Sequence, residues 1–271
     1  MTIEPYKGIS AGKLLPFTRI IGLEHVELNR NIIPDIENVR KRIGRTTTTF
    51  HLPIYGMDGY DPGSTSKKSR EKIVGIIAFL NRYHKELNLL YTLAHPPEAP
   101  DSSIETLFEN LKQINTPIIL ENIPKQSDEQ FLEFYLKAKK SLGQQLAGHA
   151  IDAAHRFLTY HKDWLILPRK LEKEITYIHL QDAKHDEDAH LPLGRGEMPY
   201  KDFLQYLKKI QYHGIINQEI KPDGFDLDGI TNSCLNIAKI MSKYKYFKLK
   251  VRYAVIKPLL KRKIAKVEKK L

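Results

Sequence analysis

His51, His95, Glu121, Asp152, His155, His179, Asp188, His190 and Glu219 are five imidazoles and four carboxylates, each at or just past the end of an apolar run. Imidazole and carboxylate are donors that zinc and manganese accept. A catalytic zinc needs about three or four protein donors and an open position. Nine such groups therefore suffice for up to three ions if a carboxylate bridges, with some members orienting true ligands instead. Two local spacings sharpen the pattern. Asp152-Ala-Ala-His155 puts two donors at one strand end and the turn after it. Asp188-Ala-His190 puts two side chains on one side of an extended loop. The stretch QDAKHDEDAHLPLGRGEM that carries the second pair is polar and holds two glycines. As an ordinary surface connection it would leave His185 and His190 solvated, but a loop of that length is usually functional.

The elements that must position these groups are short apolar runs alternating with longer amphipathic ones. TTTTFHLP carries His51, LNLLYTLAHPP His95, TPIILENIP Glu121, QLAGHAIDAAH Asp152 and His155, ITYIHLQDA His179, and GIINQEI Glu219. KGIS near residue 8 and GLEHVELN at 22–29 bring the count to eight. Between them lie helix-like segments such as SREKIVGIIAFLNRYHKEL and SDEQFLEFYLKAKKSL. Such alternation calls for parallel βα units. Eight of them match an α/β fold of the (β/α)8 TIM-barrel type, whose active site gathers at the C-terminal strand ends. The donors are where that fold places its chemistry.

A chain of 271 residues with 41% hydrophobic content suits one barrel domain. The run Ile73 to Leu80, broken by Gly75, is too short to span a bilayer. The start MTIEPYKG lacks a signal-peptide pattern; the expected location is cytoplasmic. The one cysteine, Cys234, sits in the apolar stretch CLNIAKIM and reads as a buried small hydrophobe. The net charge of +11 is concentrated in residues 243–271, with twelve Lys or Arg and one acid, which leaves 31 basic and 31 acidic side chains in residues 1–242. We therefore expect a neutral catalytic barrel over 1–242 and a basic C-terminal extension over 243–271. The neutral barrel gives no support to nucleic acid as a partner. The extension interleaves Phe247, Leu249, Val251, Leu259, Leu260 and Ile264 with lysines. It could lie on an anionic membrane, follow a nucleic-acid backbone, or pack on the barrel with a solvated charged face.

At these residues the chain resembles the xylose isomerase-like TIM barrel superfamily (AP endonuclease family 2), which includes sugar and sugar-phosphate isomerases and epimerases and endonuclease IV-type nucleases. The resemblance covers about residues 6–240. It is carried by YIHLQDAKHDEDAHLPLGRGEM and the later NQEI, with VEL at 26–28, HLP at 51–53, EN at 121–122 and DAAH at 152–155 in order and spacing. The chain departs from the nuclease pattern at YKGIS, which lacks a histidine, and at Asn122-Ile123-Pro124.

The resemblance implies a metal quartet of Glu121, Asp152, His179 and Glu219. In the isomerase branch one Mn, Mg or Zn ion would polarise a sugar carbonyl, while Glu121 and Glu219 move the proton. In the nuclease branch Glu121 would bridge two zincs, His51 and His95 would complete one of them, and His155, Asp188 and His190 would hold a third. All nine positions of that set are filled, which favours a phosphoester hydrolase; a sugar or sugar-phosphate isomerase or epimerase is the alternative, and a metal-stabilised scaffold the non-enzymatic one. Arg195, in LGRGE, is the expected phosphate-binding cation, because its planar fork suits that group; an ordinary surface arginine is the competing reading.

Overall fold

The structure is a computed structural model and describes residues 1–6, 8–221 and 226–268. Eight strands form one parallel sheet in sequential order, β1 (Thr2–Ile3), β2 (His25–Leu28), β3 (Thr47–His51), β4 (Leu89–Ala94), β5 (Ile118–Glu121), β6 (Leu146–Asp152), β7 (Ile175–His179) and β8 (Ile215–Asn217). The principal helices are α1 (Ala11–Ile20), α2 (Ile36–Ile43), α3 (Lys67–Tyr83), α4 (Ile104–Leu111), α5 (Asp128–Leu142), α6 (Ala153–Tyr160), α7 (Tyr200–Lys209), α8 (Leu227–Met241) and α9 (Lys243–Glu268). This is the expected (β/α)8 barrel, nearly closed. At the remaining seam the Asn217 amide donates to Thr2 Oγ1 at 3.4 Å and its oxygen accepts from the Met1 amino group.

The alternation of strand side chains divides the core in two. Val26, Leu28, Phe50, Ile118, Leu120, Ile151 and Ile178 face outward onto the helices. Leu93, Ile119, Ala150 and Tyr177 point inward and fill the barrel. Helix boundaries follow the local code. α5 opens with a capping box, Ser127 accepting from the Gln130 N–H while the Gln130 side chain accepts from the Ser127 N–H. α4 opens with Ser103 accepting from the Thr106 N–H.

Sequence and structure differ at the first strand. KGIS was the expected run, but the strand is Thr2–Ile3, upstream of it. Ile3 pairs in register with Leu28. Tyr6 and Ile9 form an antiparallel bridge, Gly8 turns the chain at φ +75°, and Ser10 precedes α1. Lys7 lies outside the described residues.

α9 packs on the barrel through Leu249, Tyr253, Ile256, Leu260 and Ile264, which join Ile21, Leu227, Ile230 and the buried Cys234 in one cluster. The last three residues of the basic extension lie outside the described ones. No helix among the described residues is long and apolar enough to cross a membrane.

Candidate metal centre

Each inward row of the barrel continues upward into a polar group. Ile119 is followed two residues on by Glu121, Ala150 by Asp152, Tyr177 by His179 and Leu93 by His95. The register sets Asp152 opposite His179 across β6 and β7. The period of two that fills the barrel with apolar side chains therefore also collects the donors at its mouth.

Two groups of donors share Glu121. His51, His95 and Glu121 have ligand atoms within 4.8 Å of one another, and so do Glu121, Asp152, His179 and Glu219. Glu121 Oε2 faces His95 Nε2 at 3.2 Å and His51 Nε2 at 3.6 Å, while Oε1 takes a bond from His179 Nδ1 at 2.8 Å. His179 Nδ1 also lies 3.4 Å from Glu219 Oε2 and 4.0 Å from Asp152 Oδ2. The last three donors are joined through Asp188, whose Oδ2 is 3.2 Å from His155 Nε2 and 3.3 Å from His190 Nε2.

The test of whether these residues fit metal ions is the other ring nitrogen of each histidine. A carbonyl only accepts, so a nitrogen bonded to one carries the proton and its partner nitrogen is left as the ligand. His51 Nδ1 donates to the Leu52 carbonyl at 2.7 Å, His155 Nδ1 to that of Asn122 at 2.9 Å, and His190 Nδ1 to that of Glu219 at 2.9 Å. His95 Nδ1 faces Glu98 at 3.4 Å, and His179 Nε2 meets Glu27 at 2.7 Å. In all five rings the remaining nitrogen is the one aimed at Glu121 or Asp188, inside the donor clusters. That orientation fits divalent cations.

The β7–α7 loop is built to carry Asp188 and His190. The buried Asp182 carboxylate accepts from the N–H groups of Ala183, Gly194 and Met198. A backbone bridge joins Asp182 to Leu191. Gly196 sits so close that a Cβ there would lie 2.4 Å from the Ala183 oxygen and 2.5 Å from Asp182 Oδ1. His190 itself takes a left-handed conformation at φ +46°, which a histidine adopts at a cost; its ring bond to the Glu219 carbonyl and its own carbonyl, which accepts from the Lys221 N–H at 3.0 Å, hold it there.

Burial and pairing set the charge states of the metal-free protein. Burial alone would lower the His51 imidazole, but the Glu121 hydrogen bond and the Glu27 and Glu121 charges push it up to about 9. Burial likewise opposes the charge of His155, and Asp152 and Asp188 outweigh it, raising that ring to about 10. His179 is raised well above the usual range against its burial, by Glu121 and Glu27. Burial would raise Glu121, but His179 and His95 hold it well below the usual carboxylate range. Asp152 is the exception: its burial wins and lifts it to about 6. A crowd of imidazolium rings around buried carboxylates is what a site shaped for cations looks like when protons fill it.

Three residues of the centre were not in the sequence-based set. Glu27 is wholly buried in β2, accepting from His179, from the Tyr177 hydroxyl at 3.0 Å and from Thr2 Oγ1 at 3.1 Å. Gln181 donates from Nε2 to Asp152 Oδ2 at 2.7 Å and to Asp188 Oδ1 at 3.4 Å, holding two donor groups in relation to each other. Asn122 accepts from the Asp152 N–H at 2.9 Å, and its carbonyl takes the His155 proton. Replacing Gln181 with leucine should lower zinc affinity by about 10- to 100-fold, as loss of a ligand-orienting partner typically does. Titration against a chromophoric chelator reads this directly, and wild-type affinity in the variant would refute the role.

Arg195 lies apart from these clusters. It is 54% exposed and pairs with Asp226, whose carboxylate also caps α8 through the Gly229 N–H.

Among curated proteins the chain is similar to an uncharacterized protein, MJ1614, from Methanocaldococcus jannaschii, 26% identical over 154 residues, which are 56% of this chain and 55% of that protein. The chain thus spans about half the length of that relative. A family 2 AP endonuclease from Brucella melitensis superposes with a TM-score of 0.65 at 13% identity, over 84% of this chain and 95% of the other. The zinc-bound IolI protein superposes with a TM-score of 0.61 at 14% identity, over 85% and 92%. At those identities the likeness is one of fold. The profile of one family, the xylose isomerase-like TIM barrel, matches residues 17–237, and with a match over most of its length this chain belongs to that family.

Proposed function

We propose that the chain is a divalent-metal phosphoester hydrolase with a multinuclear centre, zinc being the expected ion. The observation that carries this reading is the sharing of Glu121 by two donor groups, one on each of its oxygens. A mononuclear isomerase needs only Glu121, Asp152, His179 and Glu219 as ligands. It gives no reason for His51, His95, His155 and His190 to present ligand nitrogens inward with their other nitrogens locked.

Bound ions would lower the pKa of an attacking water toward 7 and neutralise charge on the leaving oxygen. Water oxygen would add to phosphorus, the bond from phosphorus to the alcohol oxygen would break, and that oxygen would leave as the alcohol with the proton that the attacking water gave up. Glu121, sealed from solvent, fixes the spacing of the donor groups. Glu219 Oε2 belongs to the most solvent-accessible side chain of its group of four, at 18%, and we assign it the proton from the attacking water. Arg195, if Asp226 releases it, is the remaining candidate for a phosphate contact.

Metal content by inductively coupled plasma mass spectrometry on gently purified protein tests the proposal. Two or three zincs per chain are expected; a single Mn, Mg or Zn ion would turn the assignment to the sugar isomerase or epimerase reading, in which Glu121 and Glu219 shuttle a proton. His190→Ala separates the two further. It should lower phosphoesterase turnover by about 100-fold or more, the scale expected when charge stabilisation is lost from an active site, and remove up to one zinc. A mononuclear isomerase would be only mildly affected.

A further inference from the structure

Beside the donor clusters, the barrel mouth opens into a cavity of about 610 Å³. Glu27, His51 and Glu219 border one end, and Leu260 and Ile264 of α9 border the other. Leu14 and Phe17 of α1, with Leu52, Ile54, Ile220 and Ile230, supply much of the wall between. Several polar side chains on that wall are paired among themselves, while Lys13 and Lys221 also border the cavity. Asn29 and Asn31 both donate to Glu4, at 3.0 and 2.9 Å, and Arg30 pairs with Asp58. A sugar or nucleoside lying along the apolar stretch of Leu14, Phe17, Ile54, Ile220 and Ile230 would leave hydroxyls without partners, at the usual cost of unpaired polar groups. An alkyl chain would leave nothing unpaired, and the volume is that of an ordinary small-molecule site.

We propose that the substrate is an amphiphile, a lipid phosphoester whose charged head sits at the donor clusters and whose single apolar chain lies in this cavity toward α9. The identity of the head rests on the hydrolase reading above; the chain rests on the cavity alone. α9 supplies a converging observation. Its inner stripe closes the cavity, while Tyr244, Phe247, Val251, Val255 and Leu259, spaced three or four residues apart, face outward at 55–76% exposure. The exposed Lys245, Lys248 and Lys250 interleave with that outer stripe, while Lys257 turns toward the barrel and pairs with Asp228 of α8. An apolar stripe flanked by lysines is the pattern of a helix that lies on an anionic interface, which is where such a substrate is held.

The test is binding of n-alkyl phosphates, from propyl to dodecyl, to the zinc-supplemented full chain by isothermal titration calorimetry below the micellar concentration. Affinity should rise about fourfold per added methylene, the ratio set by the transfer of one CH2 out of water, until the cavity is full. Leu14→Trp, which fills the cavity from α1, should flatten that rise and leave propyl phosphate binding unchanged. Ile54→Gln, a half-buried position, should reduce the rise without demanding a refitted core. Affinity independent of chain length, or an equal rise in both variants, would overturn the proposal. Chain-dependent binding without cleavage of the matching phosphodiester would refute the hydrolase reading and support this one. Turnover of methyl phosphoesters with no chain dependence would do the opposite.

Discussion

Glu121→Gln should cut turnover by about a thousandfold or more and strip the protein of at least two ions. The amide is nearly the same size, so the backbone of β5 has no reason to move. What changes is charge. Among the described residues Glu121 is the one carboxylate that faces three histidines, through Oε2 to His51 and His95 and through Oε1 to His179. A neutral amide cannot bridge two cations, because its NH2 end offers hydrogens and no lone pair. Nor can it move a proton, a service worth about 10²- to 10⁴-fold in rate. The loss is therefore expected in a hydrolase and in an isomerase alike. Turnover and metal content should be measured on the same preparation, with circular dichroism to establish that the barrel is intact. A folded variant that keeps both its zinc and its activity would sink the whole site assignment.

Most of the centre was legible in the chain because one rule writes both the fold and the site. A barrel strand must point alternate residues inward, and the strand end must face the mouth, so a polar residue that ends an apolar run has few places to go. His51, Glu121, Asp152 and His179 end their strands, as the runs TTTTFH, IILE, GHAID and ITYIH suggest. Glu27 obeys the same rule and was still passed over. It sits between Val26 and Leu28, both outward, and so had to point inward; the signal was an acid inside a strand instead of at its end. Gln181 is likewise two residues beyond His179. The role of Asn122 was not readable, because half of it is a backbone carbonyl, which every residue has.

Arg195 and the extension show the opposite limit. The partner of Arg195 is Asp226, 31 residues away, and no local pattern pairs them. In the extension the interleaved hydrophobes form two stripes, not one. Leu249, Leu260 and Ile264 turn inward, whereas Phe247, Val251 and Leu259 turn outward. Sorting them needs the helical phase of the segment, which its boundary at Lys243 does not supply.

Metal affinity should climb steeply with pH, by at least about two decades per unit between pH 6.5 and 8.5, with the raised His179 ring adding to the protons displaced. In the metal-free protein His51 is raised to about 9 and His155 to about 10, so near neutrality both rings hold a proton on the nitrogen that an ion must take. Each proton displaced adds one to the slope of log affinity against pH. The slope should lose one unit above about 9 and another above about 10, and steepen near 6, where Asp152 also binds a proton. Calorimetry at pH 7 in buffers of different ionisation enthalpy counts the protons released; a count of zero would remove His51 and His155 from the ligand set. The same shifts act in opposite directions on the stability of the metal-free and the zinc-loaded protein. Without metal, these raised groups contribute stability that is fully present below their unfolded values, 6.5 for the histidines and 3.8 for Asp152, and lost as pH rises through about 9, 10 and 6 respectively. With zinc in excess, stabilisation follows affinity and grows over the same range. The melting temperature of the metal-free protein should therefore fall from pH 6 to 10 while the zinc-dependent increment rises, and parallel curves would mean that the ions bind elsewhere.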